Sequence, residues 1–301
     1  MSSLCLLTVH AHPDDEASKG AGTVARYHAE GVHTVLVCCT GGEEGEILNP
    51  AMDQPEVRDH LPEVRRQELY RAAEIIGYDE VVLLGYRDSG MADTPANSDP
   101  RSFAAAPLDE AVGRLVAVIR RTRPQVVVTY PQNQEGYPHP DHLRVNEISE
   151  LAFDAAGDPD RFPEAGPTWQ PLRLYYVQWS VKRILAMHEK FLELGLESPY
   201  KDERMKKMLD AGADSAGRDE GRRPHVTVDI HGFNAVMRES LLAHATQVDP
   251  TSRHWFGLPT EVSDELYPYD EYEVARDLTG VDARGGDRYD LFAGLDVVHA
   301  G

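Results

Sequence analysis

The sequence has no surplus of positive charge. Thirty Lys and Arg residues stand against 51 Asp and Glu, a formal net charge of −21. Neutralising phosphates requires basic residues in excess, so the composition argues against a nucleic-acid or anionic-membrane partner. Cysteine is scarce: Cys5, Cys38 and Cys39, each in or beside an apolar run. They make no disulfide framework and read as buried thiols of a reducing compartment. Nothing polar flanks them to lower a thiol pKa for nucleophilic work. No apolar run approaches the ~20 residues of a membrane helix. No basic stretch precedes Leu4, and the run Leu4 to Val9 is too short for a signal peptide, so a cytoplasmic location is expected. No internal repeat is evident. Gly41, Gly42 and Gly45 suggest a phosphate cradle, but no Walker lysine follows, and Glu43, Glu44 and Glu46 would repel phosphate. A loop lining a site fits them better.

What is present is a regular alternation of strand and helix. The chain has 301 residues, 41% of them hydrophobic, enough for one large α/β unit or a unit plus a smaller one. Leu4 to Val9 reads as a buried strand and Ala17 to Glu30 as a helix ended by Gly31. His33 to Cys39 is continuously apolar, as in a parallel strand covered on both faces. Leu61 to Ile76 follows as a helix with Pro62 in its first turn, Leu69, Ala72, Ala73 and Ile76 forming its apolar face. Arg65 and Glu68 are expected off that face, as a surface pair three residues apart. Glu80 to Leu84 is the third strand and Leu108 to Arg121 an amphipathic helix. Val126 to Tyr130 is the fourth strand and His142 to Ala156 the next helix. Repeated strand–helix units predict a Rossmann-like, mostly parallel α/β sheet flanked by helices. The second half is less regular: a strand at Leu172 to Gln178, helices at Ser180 to Leu194 and Asp202 to Leu209, a strand at Val226 to Ile230 and a helix at His231 to Gln247. We therefore divide the chain into a core, 1–159, and a smaller region, 160–301, that completes the sheet and the pocket. The charged interval from 197 to 223 reads as a solvated excursion or partner surface.

Two clusters carry the chemistry. His12-Pro13-Asp14-Asp15-Glu16 closes the first strand, and Tyr137-Pro138-His139-Pro140-Asp141-His142 follows the fourth. Each brings imidazole and carboxylate to the carboxyl end of a strand, where sites gather in open α/β sheets. Asp14 and Asp15 alone could be helix caps. Two such clusters, each between a strand and a helix, read as halves of one metal site, because imidazole and carboxylate are the usual ligands of a borderline metal.

These residues also resemble the LmbE-like, GlcNAc-deacetylase superfamily of zinc amide hydrolases. Ser18-Lys19-Gly20, Thr40-Gly41-Gly42-Glu43, the run Gly45 to Pro50, Asp88-Ser89-Gly90 and His244-Ala245-Thr246-Gln247 are similar to its mycothiol branch, and within it to the mycothiol S-conjugate amidases. The resemblance runs from Val9 to about Asp249.

By spacing and by that resemblance, His12, Asp15 and His142 are the metal ligands, with zinc the expected ion and ferrous iron the alternative that the same set suits. Asp14 cannot easily point the same way as Asp15 and is better placed as the general base that takes the proton of the hydrolytic water and returns it to the departing amine. The resemblance makes His139 and Tyr137 the donors to the oxyanion. Asp141 is expected to orient an imidazole, that of His139. Lys19 opens a helix, where a cation opposes the dipole, and the resemblance gives it a part in selecting the larger conjugated substrate. The resemblance also makes Arg65 and Asp88 sugar or inositol contacts and places His244 and Gln247 at the pocket rim. His10, on the face of His12 by period two, reads as a core histidine rather than a further ligand.

The activity the resemblance implies is hydrolysis of mycothiol S-conjugates, sugar–inositol thiol conjugates of small size, to a mercapturic acid and glucosaminyl inositol. The alternatives are the N-acetylglucosaminyl-inositol deacetylase of mycothiol biosynthesis and a pathway-specific homologue acting on a related conjugate. A non-catalytic metal-holding module is disfavoured by Asp14, since a structural site has no use for a spare carboxylate. The sequence leaves the oligomeric state open.

Overall fold

The computed structural model describes residues 4–134, 137–200, 225–280 and 290–295. One seven-stranded sheet runs through them in the order β3-β2-β1-β4-β5-β7-β6. The strands are β1 (Cys5–His10), β2 (His33–Thr40), β3 (Glu80–Tyr86), β4 (Val126–Thr129), β5 (Arg173–Gln178), β6 (His225–Asp229) and β7 (Tyr269–Asp277). The first five are parallel; β7 joins β5 antiparallel and β6 joins β7 antiparallel. The α/β, mostly parallel architecture expected from the strand–helix alternation is thus present. β1, β2 and β4 are buried along almost their whole length, as continuous apolar strands covered on both faces must be.

The helices are α1 (Asp15–Ser18), α2 (Ala21–Ala29), α3 (Pro55–Asp59), α4 (Leu61–Ile76), α5 (Leu108–Thr122), α6 (Pro140–Ala156), α7 (Val181–Glu193), α8 (Asn234–Ala243), α9 (Arg253–Phe256) and α10 (Thr260–Leu266). α5 packs on α6, while α8 packs on α4, α2 and α1. Chain order reverses between β1 and β4, so a crevice opens outside their carboxyl ends. Both clusters sit there.

Several expectations are corrected. The helix read over Ala17 to Glu30 is two helices. Gly20 at φ 92° turns the chain between them, and a Cβ there would lie 2.8 Å from the Tyr272 hydroxyl. The helix read over His231 to Gln247 is shorter at both ends, and His244 to Gln247 forms a turn. Arg65 and Glu68 are not surface residues. They are 2% and 3% exposed and lie on the same buried face of α4 as Leu69 and Ala72, each one turn before its apolar neighbour. The helix read over Asp202 to Leu209 lies outside the described residues.

Candidate metal centre

Pro13 ends the run that began as β1, and the next residue takes an unusual backbone. Asp14 has φ 116° and ψ −23°, in the region that costs a residue with a Cβ of order 1–3 kcal/mol. Its side chain makes no cap bond. The turn sends the carboxylates of Asp14 and Asp15 apart. Asp15 faces inward, 3% exposed, while the side chain of Asp14 keeps 31% of its surface open.

His12, Asp15 and His142 converge. Asp15 Oδ2 lies 3.5 Å from His12 Nδ1 and 3.4 Å from His142 Nε2, and all three residues are buried. The opposite nitrogen of each imidazole meets an oxygen. His12 Nε2 lies 3.2 Å from Asp141 Oδ2, and His142 Nδ1 lies 3.3 Å from Gln134 Oε1. An outer acceptor that takes the far N–H leaves the inner nitrogen with its lone pair, the tautomer a metal needs. Asp15 Oδ2 also accepts the His12 backbone N–H at 3.0 Å. Two imidazole nitrogens and one carboxylate oxygen are a borderline-metal donor set with room for a further ligand, so the residues fit a divalent ion. Burial opposes charge on Asp15, but Lys19 and His142 outweigh it and hold the carboxyl well below the usual range. Lys19 Nζ pairs with Asp15 Oδ1 and lies 5.5 Å over the Tyr130 ring.

Asp141 is fully buried, and its carboxylate reaches His12, not His139. Ser89 holds it, donating from its backbone N–H at 2.9 Å and from its hydroxyl. The expectation that Asp141 orients His139 is corrected accordingly. The Asp141 backbone N–H donates to His139 Nδ1 at 3.2 Å, because His139 caps α6. With Nδ1 accepting, Nε2 carries the proton of the neutral ring. Burial and the charge of His12 push the pKa of His139 down to about 4, so at neutral pH it is an uncharged donor. Tyr137 is 56% exposed, and its ring stacks on His139 at 5.9 Å and meets His142 edge-on at 5.6 Å.

Asp88 is drawn into the cluster as well. Its Oδ1 lies 3.5 Å from His12 Nε2 and accepts the Gly90 N–H at 2.8 Å. His12, Asp88, His139 and Asp141 form a second convergent group on the far side of the His12 ring. His10 belongs to neither group. It is buried against the Tyr130 hydroxyl at 3.2 Å, and burial takes its pKa down to about 4.

Two residues expected at the cleft lie beneath it. Arg65 donates to the Gly42 carbonyl at 2.5 Å, the Pro13 carbonyl at 2.6 Å and Asp14 Oδ2 at 3.2 Å. Its two terminal nitrogens are engaged with the walls of the loop, its Nε is buried without a hydrogen-bond partner, and the side chain lies under the cleft at 2% exposure rather than in it. His244 is fully buried and lies 2.5 Å from Glu16 Oε1, itself fully buried. Gln247 is half-buried and bonds Thr246 at 3.1 Å. Sequence reasoning gave no role to Glu16, Ser89, Gln134 or Tyr130. An acidic residue in the first turn of a helix announces a cap or a solvated face, and nothing local announces a partner 228 residues away.

Comparison with known proteins bears on this arrangement. Residues 7–153 match the PIG-L family, described as GlcNAc-PI de-N-acetylase. The chain is similar to mycothiol S-conjugate amidase of Streptomyces coelicolor, 41% identical over 298 residues, covering 97% of each chain. It is also similar to 1D-myo-inositol 2-acetamido-2-deoxy-alpha-D-glucopyranoside deacetylase of Geodermatophilus obscurus, 39% identical over 96% of this chain and 97% of the other. Among solved structures it resembles N,N'-diacetylchitobiose deacetylase from Pyrococcus horikoshii, with a TM-score of 0.60 and 15% identity, covering 91% of this chain and 84% of that one. At that identity the likeness speaks for the fold alone.

Proposed function

The chain belongs to the PIG-L, GlcNAc-PI de-N-acetylase family, and from that premise we propose a metal-dependent amidase acting on mycothiol S-conjugates. The observation that carries this reading is the convergence of His12 Nδ1, Asp15 Oδ2 and His142 Nε2 beside an Asp14 carboxylate left open. We take zinc as the ion, ferrous iron being the substitute the same donors accept. A divalent ion in this set supplies Lewis acidity to an amide carbonyl and lowers the pKa of water.

The residues divide the remaining work. Asp14 takes the proton of the attacking water and returns it to the departing amine. Burial and the charge of Asp15 raise its pKa, against the pull of Arg65, and a raised carboxyl is a better proton carrier. His139 presents a neutral N–H and Tyr137 a hydroxyl to the oxyanion. Asp141 fixes the His12 ring. Asp88, Lys19 and Gln247 line the substrate side, with Lys19 favouring the larger conjugate. Residues 160–301 act as the region that completes the sheet and one wall of the pocket. Cleavage at the amide yields a mercapturic acid and glucosaminyl inositol, the chemistry of detoxifying thiol-reactive compounds.

The second reading is deacetylation of N-acetylglucosaminyl inositol, supported by the 39% identical relative. It uses the same donors and base. One preparation of defined metal content, offered a fluorescent mycothiol conjugate and the acetylated sugar inositol side by side, separates them. Faster cleavage of the conjugate, lost on chelation and restored by zinc, is the expected result. Faster acetate release would move the chain to the deacetylase.

A further inference from the structure

Asp14 is held in its costly conformation by side chains that touch neither metal ligand nor substrate. We infer that the buried Glu16–His244 pair, together with Arg65, is a positioning device for Asp14. The inference rests on the reading of Asp14 as the base.

Its parts come from three places in the chain. Glu16 Oε2 accepts the Asp14 backbone N–H at 3.0 Å, and Glu16 Oε1 meets His244 Nε2 at 2.5 Å. From the other side Arg65 takes the Pro13 carbonyl and the Asp14 carboxylate. The N–H, the preceding carbonyl and the side chain of one residue are therefore each fixed by a different bond. A φ of 116° at a residue with a Cβ persists only when its surroundings over-determine it.

The two arms are joined. Thr246, two residues after His244, donates to both oxygens of Glu68 at 2.8 and 2.7 Å. Glu68 lies three residues after Arg65 on α4. The Thr246 carbonyl accepts the Leu48 N–H at 2.8 Å, tying down the glycine loop whose Gly42 carbonyl Arg65 also holds. One turn of the second half of the chain thus braces both supports of Asp14. A buried Glu–His pair is weak evidence for stability, because removing two charged groups from water costs about what their attraction returns. The pair's geometric product is an acceptor aimed at the Asp14 N–H.

Stability and positioning predict different double-mutant cycles. The test measures kcat, KM and metal content for Glu16→Ala and His244→Asn, each in the parent and in an Asp14→Asn background, on holoenzyme and on whichever substrate turns over. We expect each substitution to lower kcat by about tenfold or more in the parent, with KM and bound metal unchanged. In the Asp14→Asn background each should cost less than about twofold, because the group they position is already disabled. Glu16→Gln, which keeps an acceptor for the N–H, should stay within about threefold of the parent. An equal loss in both backgrounds would overturn the inference and leave the pair a fold element. Full activity of Glu16→Ala would overturn it too. His244→Asn removes one bond with a smaller change of volume and answers the question if Glu16→Ala does not fold. An Asp14→Asn enzyme with unchanged turnover would sink the base assignment itself, a result separate from either.

Discussion

Replacing Asp14 with Asn removes the base and little else. The side chain is isosteric, is not among the convergent ligand atoms and has 31% of its surface open. Its ionic partner among the described residues, Arg65, keeps the carbonyls of Gly42 and Pro13, and the amide oxygen of Asn can still accept from it. The fold should therefore lose about 1 kcal/mol or less, the difference between a charged and a neutral acceptor in a half-open site. Catalysis should lose far more. A positioned base contributes roughly 10²–10⁴-fold, equivalent to about 2.7–5.4 kcal/mol of barrier. Single-turnover cleavage of the conjugate at pH 7, with bound metal measured on the same sample and melting followed alongside, tests both halves. The expected outcome is stoichiometric metal, an unchanged melting curve and kcat down by two orders of magnitude or more. Metal retained with turnover within threefold of the parent would refute the assignment. Loss of the metal would show that Asp14 is a ligand.

Metal uptake should release a proton. Burial opposes charge on His12, but Asp141, Asp15 and Asp88 outweigh it and hold its pKa well above the usual range. The metal-free imidazole is therefore protonated at pH 7, and an ion must displace that proton. Affinity should rise with pH until the raised pKa is passed, and calorimetry in two buffers of different ionisation enthalpy should count about one proton; a count of zero would contradict this. By the same linkage the metal-free fold draws its His12 contribution below the ordinary histidine pKa of ~6.5 and loses it as pH climbs through the raised value. Gly42→Ala should cost more than Gly31→Ala. Both sit at positive φ, worth about 1–2 kcal/mol for a residue with a Cβ, but only at Gly42 would the new carbon meet the Arg65 guanidinium. Denaturant unfolding checks the difference, and equal losses would show that Arg65 yields freely. Cys5, its pKa pushed up to about 12 by burial, and Cys38 and Cys39, raised well above the usual range by burial, should resist labelling at pH 8 until the protein unfolds. Rapid reaction of any of them in the folded protein would refute that.

The parallel half of the sheet was legible because it is made of uninterrupted apolar runs. α4 was read with its observed bounds, from Leu61 to Ile76, since Pro62 and Gly77 mark its ends. The two clusters could be joined because each follows such a run. β7 escaped notice. Its sequence, Tyr-Asp-Glu-Tyr-Glu-Val-Ala-Arg-Asp, looks like a solvated face, and its charges are absorbed by partners far away in the chain. Asp270 takes Thr23, and Glu271 takes the Ser180 N–H. Arg65, Glu68, Glu16 and His244 misled for the same reason. Polarity signals solvent unless a partner is known, and the Glu16–His244, Glu68–Thr246 and Arg65–Pro13 contacts all join residues at a long sequence separation. Which histidine Asp141 serves depends on ring orientation, which spacing does not encode.

The placing of β7 bears on how the chain acquires its shape during synthesis. Among the described residues β6 pairs with β7 alone, and β5 finds its second neighbour only in β7. Until β7 has left the ribosome, β5 is a raw edge and β6 lacks the strand it pairs with among the described residues, although the crevice outside β1 and β4 can already exist. Arg173, fully buried at the start of β5, waits for Asp277 at the far end of β7 to receive its charge. Pairings of such long range form slowly and leave strand edges exposed meanwhile. A nascent chain stalled before β7 is therefore the species most exposed to aggregation and to chaperone capture.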